Sequence, residues 1–583
     1  MPTIDVHLDI LNQIIGRKLE DKELERLLST AKAELEQKDL ENRIVRVELK
    51  DTNRPDLWST VGLGRHLRRY IGEKKSIDYK FFSNSSEEKK VDEKKFIEIE
   101  SDLKDIRPYI FGFIAEGPPI SEIILSEIIQ SQEKLSENYG QHRKVAAMGI
   151  YRAENIVWPI KYRAVKPETE MIPLGFTKNM SLTEIIKTHP KGIEYGDILN
   201  AAKFYPLLCD QENNVLSFPP IINSEGLGKV EAGDNCFFIE LTGTNVHTLL
   251  LIVSVMACDF FDLGYEIFPV LSKYKYSLLT GKNLISPFYF QQEIDLKVND
   301  AERLLGEKLS VKECQLFVEK MGNKVRIEGD KIIVKPPPYR NDFLHSVDVI
   351  EEIAIGRGLD TFEPELPKDF TSGQLLPVTQ LNHDSRDILI GLGYQEMIFN
   401  YLGSKQEYTQ KMNLPNRILV EINNPMTEKY GVVRDSIIPN LLASEASSQN
   451  AVYPHKMFEI GKVVIPVFDK LMDTKTIDYC TFLISDSAAN FNDVSSHLSA
   501  LLFYLGFEYR LVDISDGRFI IGRCGRIEIS IPRKDERQKN SSKRAWIRAG
   551  IIGEVNPLVL ENFRIQMPCS IVELSLTVLI NER

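Results

Sequence analysis

The sequence predicts a multidomain α+β protein, and three observations carry that reading. A chain of 583 residues is long enough for roughly three to five domains. Strand-like and helix-periodic runs both recur along its length. One small module occurs twice, over 11–72 and again over 301–358.

The first copy opens Ile14-Ile15-Gly16-Arg17-Lys18-Leu19 and the second Leu304-Leu305-Gly306-Glu307-Lys308-Leu309. Each continues into a helix-periodic stretch, 22–35 and 311–321, and then a β-like run, 44–49 and 331–335. Each then has an extended, proline-containing piece with Arg-x-Asp, as Arg54-Pro55-Asp56 and Arg340-Asn341-Asp342. A helix closed by glycine ends each copy, at Gly72 and Gly358. Two related small α/β modules are therefore expected, over 1–82 and 290–366. The polar, charged stretch 83–95 reads as a connector. Beyond it, strands at 97–99 and 109–115 and a helix over 120–143, just past Pro118-Pro119, predict a mixed α/β domain over 96–280. Residues 370–583 combine helices at 384–392, 441–451 and 494–505 with many strands, and form the last domain.

A composition of 43% hydrophobic and 27% charged residues is that of ordinary globular proteins. The net charge of −12 argues against a surface coated in positive field, although local patches set nucleic-acid binding. Cys209, Cys236, Cys258, Cys314, Cys480, Cys524 and Cys569 are scattered without a CxxC pair, as expected of reduced thiols in a cytosolic protein. The first residues carry no secretory signal pattern, and the longest apolar run, 249–258, is too short to span a bilayer and reads as a buried helix. A cytoplasmic protein without a membrane span is the expectation.

In the second module, Asp348, Glu351 and Glu352 fall at i, i+3 and i+4 and share one helix face, with Asp342 just upstream. Four carboxylates converging there need a cation among them, and hard oxygen ligands suit magnesium or calcium. A solvated acidic first turn, favoured by the helix dipole, fits the same spacing. Aligned on Arg-x-Asp, the first module has Gly62, Arg65 and His66 in place of the last three, so the module folds without the acidic set. Within 41–70, seven basic residues against four acidic ones suggest a phosphate-contacting or subunit-facing surface, or simply a solvated face: Arg43, Arg46, Lys50, Arg54, Arg65, Arg68 and Arg69.

The segments Asn53-Arg54-Pro55-Asp56-Leu57, His189-Pro190-Lys191-Gly192, 216–223 and Thr242-Gly243-Thr244 carry a resemblance, as do 337–340 and Glu351-Glu352-Ile353-Ala354. Asn424-Pro425, Arg434-Asp435-Ser436 and Phe458-Glu459-Ile460-Gly461 extend it over nearly the whole chain. The sequence resembles the β subunit of phenylalanyl-tRNA synthetase in its archaeal and eukaryotic form. That resemblance implies an assembly of two α and two β subunits, in which the α subunit joins phenylalanine to tRNA(Phe) with ATP. It implies a β subunit with an editing domain, a magnesium site at Asp342, Asp348, Glu351 and Glu352, tRNA contacts, and a C-terminal domain shaped like a class II synthetase core but lacking its active site. The residues agree on the last point. Met457 stands where an ATP-binding arginine would precede Glu459, no Gly-x-Gly-x-Gly-x-x-Arg follows residue 370, and there is no P-loop.

Phenylalanine and tyrosine differ by one hydroxyl, and an apolar pocket rejects such an analogue only about 10²-fold. A second site that hydrolyses tyrosyl-tRNA needs a hydrogen-bonding partner for the phenol. Glu240 and Thr242 alternate along a strand and share a face, Ser217 precedes the stiff Pro219-Pro220 loop, and Asn223 offers both a donor and an acceptor. The resemblance carries editing roles onto Ser217, Asn223, Glu240 and Thr242, and onto Arg143 at the end of a helix. It departs at Lys229, usually arginine, and at Glu240, usually aspartate. Glu240 also reads as an exposed strand carboxylate, and His189, ahead of a proline turn, as a structural histidine. Two rivals stand beside the editing subunit: an assembly and tRNA-binding subunit without editing, and a stand-alone metal hydrolase built on 342–352.

Overall fold

The computed structural model describes residues 2–39, 41–72, 78–82, 92–200, 202–278, 281–367, 371–468, 473–530 and 546–582. Most of the connector, 83–91, lies outside the described residues. The chain divides into two compact units, Met1–Glu365 and Leu366–Arg583.

Within the first unit, the two modules share one topology. Strands Thr3–His7 and Ala33–Asp39 flank Ile44–Leu49, and strands Ile294–Lys297 and Lys324–Glu328 flank Lys331–Lys335 in the same antiparallel order. The first helices, Leu8–Ile15 and Val298–Leu305, end on left-handed Gly16 and Gly306. The backbone N–H three residues past each glycine is caught by a side chain of its helix: Leu19 by Asn12 Oδ1 and Leu309 by Glu302 Oε1, both at 3.1 Å. The helix expected over 22–35 stops at Leu28, and 33–39 is an edge strand instead. The 3.6-residue spacing of Leu24, Leu27, Leu28, Ala31 and Leu35 continues through that boundary, but pairing with Ile44–Leu49 overrides it.

Between the modules lies a ten-stranded sheet. Cys236–Gly243 runs antiparallel between Tyr109–Glu116 and Ala146–Arg152, and helix Val246–Asp262 packs beneath it. Residues 249–260 of that helix are all buried, which is why its sequence shows no polar stripe. The helix expected over 120–143 is regular only from Glu122 to Lys134. It widens into a π turn, Leu135–Tyr139, and then Gln141, His142 and Arg143 turn left-handed with φ of 52°, 51° and 61°. Three successive non-glycine residues in that region are strained, and π turns concentrate at functional sites.

Buried ions stitch this unit together. Arg65, on helix Thr60–Ile71, pairs with Asp259 and, at 2.5 Å, with Asp262 of helix Val246–Asp262. Its guanidinium lies 4.6 Å from the ring centre of Tyr339 in the second module. Ser59 donates to Asp259 at 2.8 Å and Tyr79 to Asp262 at 3.2 Å.

The second unit is a seven-stranded sheet in which Gln395–Glu396 pairs in parallel with His455–Val467 and every other neighbour is antiparallel. Helices Pro377–Gly391, Phe491–Leu505 and Leu576–Glu582 cover one face, while Ile438–Ser447 and Pro557–Phe563 cover the other. Between Pro557–Phe563 and the chain's end the sheet closes with Cys569–Ser575.

Candidate functional site

All five residues singled out for editing, Arg143, Ser217, Asn223, Glu240 and Thr242, line one cavity of about 260 Å³ in the first unit. Its floor is the strand Cys236–Gly243. Pairing sets Glu240 opposite Gly112 on one neighbouring strand and Gly149 on the other. A Cβ at Gly149 would lie 2.1 Å from the Tyr151 hydroxyl and 2.8 Å from Glu240 Oε1. A Cβ at Gly112 would lie 2.6 Å from the Ile239 carbonyl. The bare backbone of Gly149 thus makes room for the carboxylate and its tyrosine, and that of Gly112 for the close approach of the neighbouring strand and the Phe238 ring.

Glu240 is 2% exposed, so it is not the solvated strand carboxylate that alternation alone allows. The Tyr151 hydroxyl bridges Glu240 Oε1, at 2.9 Å, and Ser217 Oγ, at 2.8 Å. Glu240 Oε2 is buried and has no hydrogen-bond partner. Burial raises the Glu240 pKa from 4.5 to about 8, against the opposing pull of the Tyr151 bond and the Arg107 charge. The buried Arg107 donates from Nε to Thr242 Oγ1 at 2.9 Å and from Nη2 to the Thr242 carbonyl at 2.6 Å, fixing that side chain.

The rim is the hairpin that pairs Ser217 with Asn223. Asn223 Nδ2 donates to the Gly228 carbonyl at 3.2 Å, leaving its Oδ1 as an acceptor. Arg143 sits in the left-handed turn rather than at a helix end. Its Nη1 donates to the carbonyls of Pro220 and Ile221 at 3.2 and 3.1 Å, and its guanidinium lies 4.2 Å over the Tyr195 ring. It holds the Pro219-Pro220 loop in place.

Lys229 does not line the cavity. It pairs with Glu231 at 3.0 Å and is half-exposed, so its departure from arginine falls outside the pocket wall. His189 caps helix Pro190–Tyr195 by accepting from Lys191 N at 3.1 Å and packs on Phe176, a structural role. Tyr151, Arg107 and Gly149 were not legible as site residues. Alternation places Gly149 and Tyr151 on one strand face, but only the strand register brings that face to Glu240.

The expected cation site of Asp342, Asp348, Glu351 and Glu352 is not assembled within this chain. The buried Arg340 guanidinium takes the place between two of the four, bonding Glu352 at 2.7 and 2.9 Å and Asp342 from Nε at 2.9 Å. Glu351 pairs with Lys32 of the first module at 2.5 Å. Asp348 caps its own helix, accepting from the backbone of Leu344 and His345 at 2.6 and 2.7 Å. Among the described residues no three His, Cys, Asp or Glu side chains are grouped to hold a metal ion. Chelation is accordingly expected to leave the melting temperature of the isolated chain unchanged; a fall of several degrees in EDTA would refute this account of the acidic set.

Most of the basic run of 41–70 is paired within the chain, part of it on the surface. Arg43 pairs with Asp9, Arg46 with Asp5, Lys50 with Glu34, and the buried Arg54 with Asp56. Arg65 and Arg68 are buried as well. Arg43 and Arg46 stay half-exposed in their pairs.

A carboxylate-floored pocket within a large mixed sheet, between two copies of one small module, accompanies matches to synthetase domain models. Residues 294–359 match the tRNA synthetase B5 domain, and residues 363–576 match the phenylalanyl tRNA synthetase beta chain CLM domain. These define a subunit of an aminoacyl-tRNA synthetase. The phenylalanine–tRNA ligase beta subunit of Borrelia recurrentis is 43% identical over 583 residues, covering 100% of both chains. That of Borreliella burgdorferi (strain ZS7) is 41% identical over 586 aligned residues. An N-terminal fragment of the phenylalanyl-tRNA synthetase beta subunit from Pyrococcus horikoshii is 34% identical and superposes with a TM-score of 0.57, covering 61% of this chain and 100% of the fragment. The chain belongs to the family of phenylalanine–tRNA ligase beta subunits. No helix among the described residues is long and apolar enough to cross a membrane.

Proposed function

We propose that this beta subunit hydrolyses tyrosyl-tRNA in the pocket floored by Glu240, while an α subunit joins phenylalanine to tRNA(Phe) with ATP. The observation that carries the reading is the buried Glu240 Oε2, an unpaired oxygen on the wall of an otherwise largely apolar cavity. A tyrosine side chain entering there gives that oxygen a partner, and phenylalanine leaves it bare. With its raised pKa, Glu240 meets the phenol either as acceptor or, protonated, as donor. The hydroxyl of Ser217 is bonded to Tyr151 rather than to a base, so the nucleophile–base pair that covalent catalysis needs is missing. Hydrolysis then proceeds by a water held through fixed hydrogen bonds, with the Asn223 Oδ1 acceptor at the rim as its natural anchor.

In this reading the chain has four parts: modules 1–82 and 290–366, an editing domain 96–280, and a class II-like scaffold 370–583. Glu459 of the scaffold is locked bidentately by the buried Arg434 at 2.8 and 2.9 Å, which suits a core that no longer handles ATP. The assembly is two α and two β subunits. The archaeal and eukaryotic domain plan is favoured by the Pyrococcus fragment, whereas the curated relatives are bacterial. A magnesium ion at the acidic helix would need oxygen ligands from the α subunit.

The test is deacylation by the purified complex: tyrosyl-tRNA should be hydrolysed faster than phenylalanyl-tRNA. Equal or absent hydrolysis would favour a non-editing assembly subunit.

The same carboxyl predicts a pH signature. Below 4.5 Glu240 is protonated folded or unfolded. Between 4.5 and about 8 only the unfolded chain ionises, so stability is lost at about 1.4 kcal/mol per pH unit until the loss is complete above 8. Glu240→Gln removes that loss. Its melting temperature should match the parent near pH 4.5 and exceed it increasingly up to pH 8; a constant offset would show that Glu240 ionises normally.

A further inference from the structure

The second unit holds a cavity of about 360 Å³ that the proposed function leaves unused. It opens on the sheet face formed by Asp473–Ser485, Cys569–Ser575 and Ile547–Val555, beside the turn that leads into helix Ile438–Ser447. Asp435, 7% exposed, accepts from Arg417 Nε at 2.5 Å through Oδ2. Its Oδ1 is buried without a partner, and so is Arg417 Nη1. The two side chains that carry this orphaned donor and acceptor both line one cavity. Glu573 takes three hydrogen bonds, from Ser436 Oγ, Ile437 N and Thr481 Oγ1, all on Oε1, so its second oxygen is left to the cavity. Arg518 is held by Asp516 at 2.8 Å, and Arg548 is exposed at the mouth. Ile465, Ile477, Ile551 and Val578 supply apolar wall.

This lining selects against simple ligands. Two carboxylates repel an inorganic anion. The arginines repel a metal ion. A purely apolar guest leaves both orphaned atoms unmet, which buried polar groups rarely are. A ligand that carries an anion and an ammonium on a small apolar body meets all of them. We propose that this pocket binds a zwitterion of the α-amino-acid class, its carboxylate received by Arg417 and Arg548 and its ammonium by Asp435 and Glu573. The site would give the scaffold unit a ligand of its own, separate from the editing pocket.

Crystals of the full-length chain with its α subunit, soaked in L-selenomethionine, test this by position. An anomalous selenium peak is expected between Arg417, Asp435 and the isoleucine wall, and is expected to vanish in Asp435→Asn. In solution, titration of the full-length chain with L-leucine should show binding that weakens about tenfold or more in Arg548→Gln, an exposed position that spares the fold. Butylamine and butyrate, each with half of the required charge, should not bind. Ordered water alone in the soaked pocket, a peak undiminished in Asp435→Asn, or butyrate binding as well as leucine would overturn the proposal.

Discussion

Replacing Glu240 with alanine is expected to slow hydrolysis of tyrosyl-tRNA about 10- to 150-fold, while charging with phenylalanine by the complete enzyme stays unchanged. The range corresponds to losing one hydrogen bond to a charged or buried carboxyl, about 1.5–3 kcal/mol. The geometry makes the test specific. Glu240 is buried, its Oε1 is already bonded to Tyr151, and only Oε2 is left without a hydrogen-bond partner. Glu240→Asp, which retracts the carboxyl by one carbon, should keep activity within about an order of magnitude. Asn223→Ala should slow both substrates without loss of tyrosine preference, because Asn223 belongs to the rim and not the floor. Deacylation of both aminoacyl-tRNAs by the three variants decides the matter. If Glu240→Ala edits as fast as the parent, the carboxylate plays no part in recognising the phenol.

The largest stability effect is expected at Arg65. Arg65→Ala leaves Asp259 and Asp262 buried without their cation, and removing one member of a buried ion pair costs about 3–5 kcal/mol. Because Arg65 also stacks on Tyr339, the loss should loosen the N-terminal module, the central helix and the second module together. The first thermal transition should fall, and limited proteolysis should cut between the modules and the sheet domain. Arg65→Met combined with Asp259→Asn and Asp262→Asn should restore much of the stability, since no bare charge then remains. A midpoint that moves no further than those of exposed-surface variants would show that the pairing is dispensable.

What could be seen in the sequence was what local pattern encodes. The duplicated module was legible because glycine closures, Arg-x-Asp and strand runs recur in the same order. The face shared by Glu240 and Thr242 followed from alternation. The grouping of Arg143, Ser217 and Asn223 with them came from family resemblance, as pairing partners have no local signature. Tyr151 lies 89 residues from Glu240, and nothing near Tyr151 announces the contact. The acidic set shows the opposite failure. Spacing correctly put Asp348, Glu351 and Glu352 on one helix, yet Asp342 and Glu352 share Arg340 of the Arg-x-Asp motif, Glu351 takes Lys32 of the first module, and Asp348 serves its own helix. The end of helix Asp21–Leu28 was hidden because apolar spacing runs on past it into a strand.

The paired glycines beneath Glu240 bear on how this pocket can be redesigned. Space for the carboxylate is borrowed from Gly149, where a side chain would strike the Tyr151–Glu240 contact, and a side chain at Gly112 would strike the Ile239 backbone and the Phe238 ring. The floor is therefore fixed for an engineer: residue choice there is confined to position 240 and its tyrosine. Libraries aimed at editing other aromatic amino acids belong in the 219–221 turn at the edge of the sheet and at Arg143, which holds that turn.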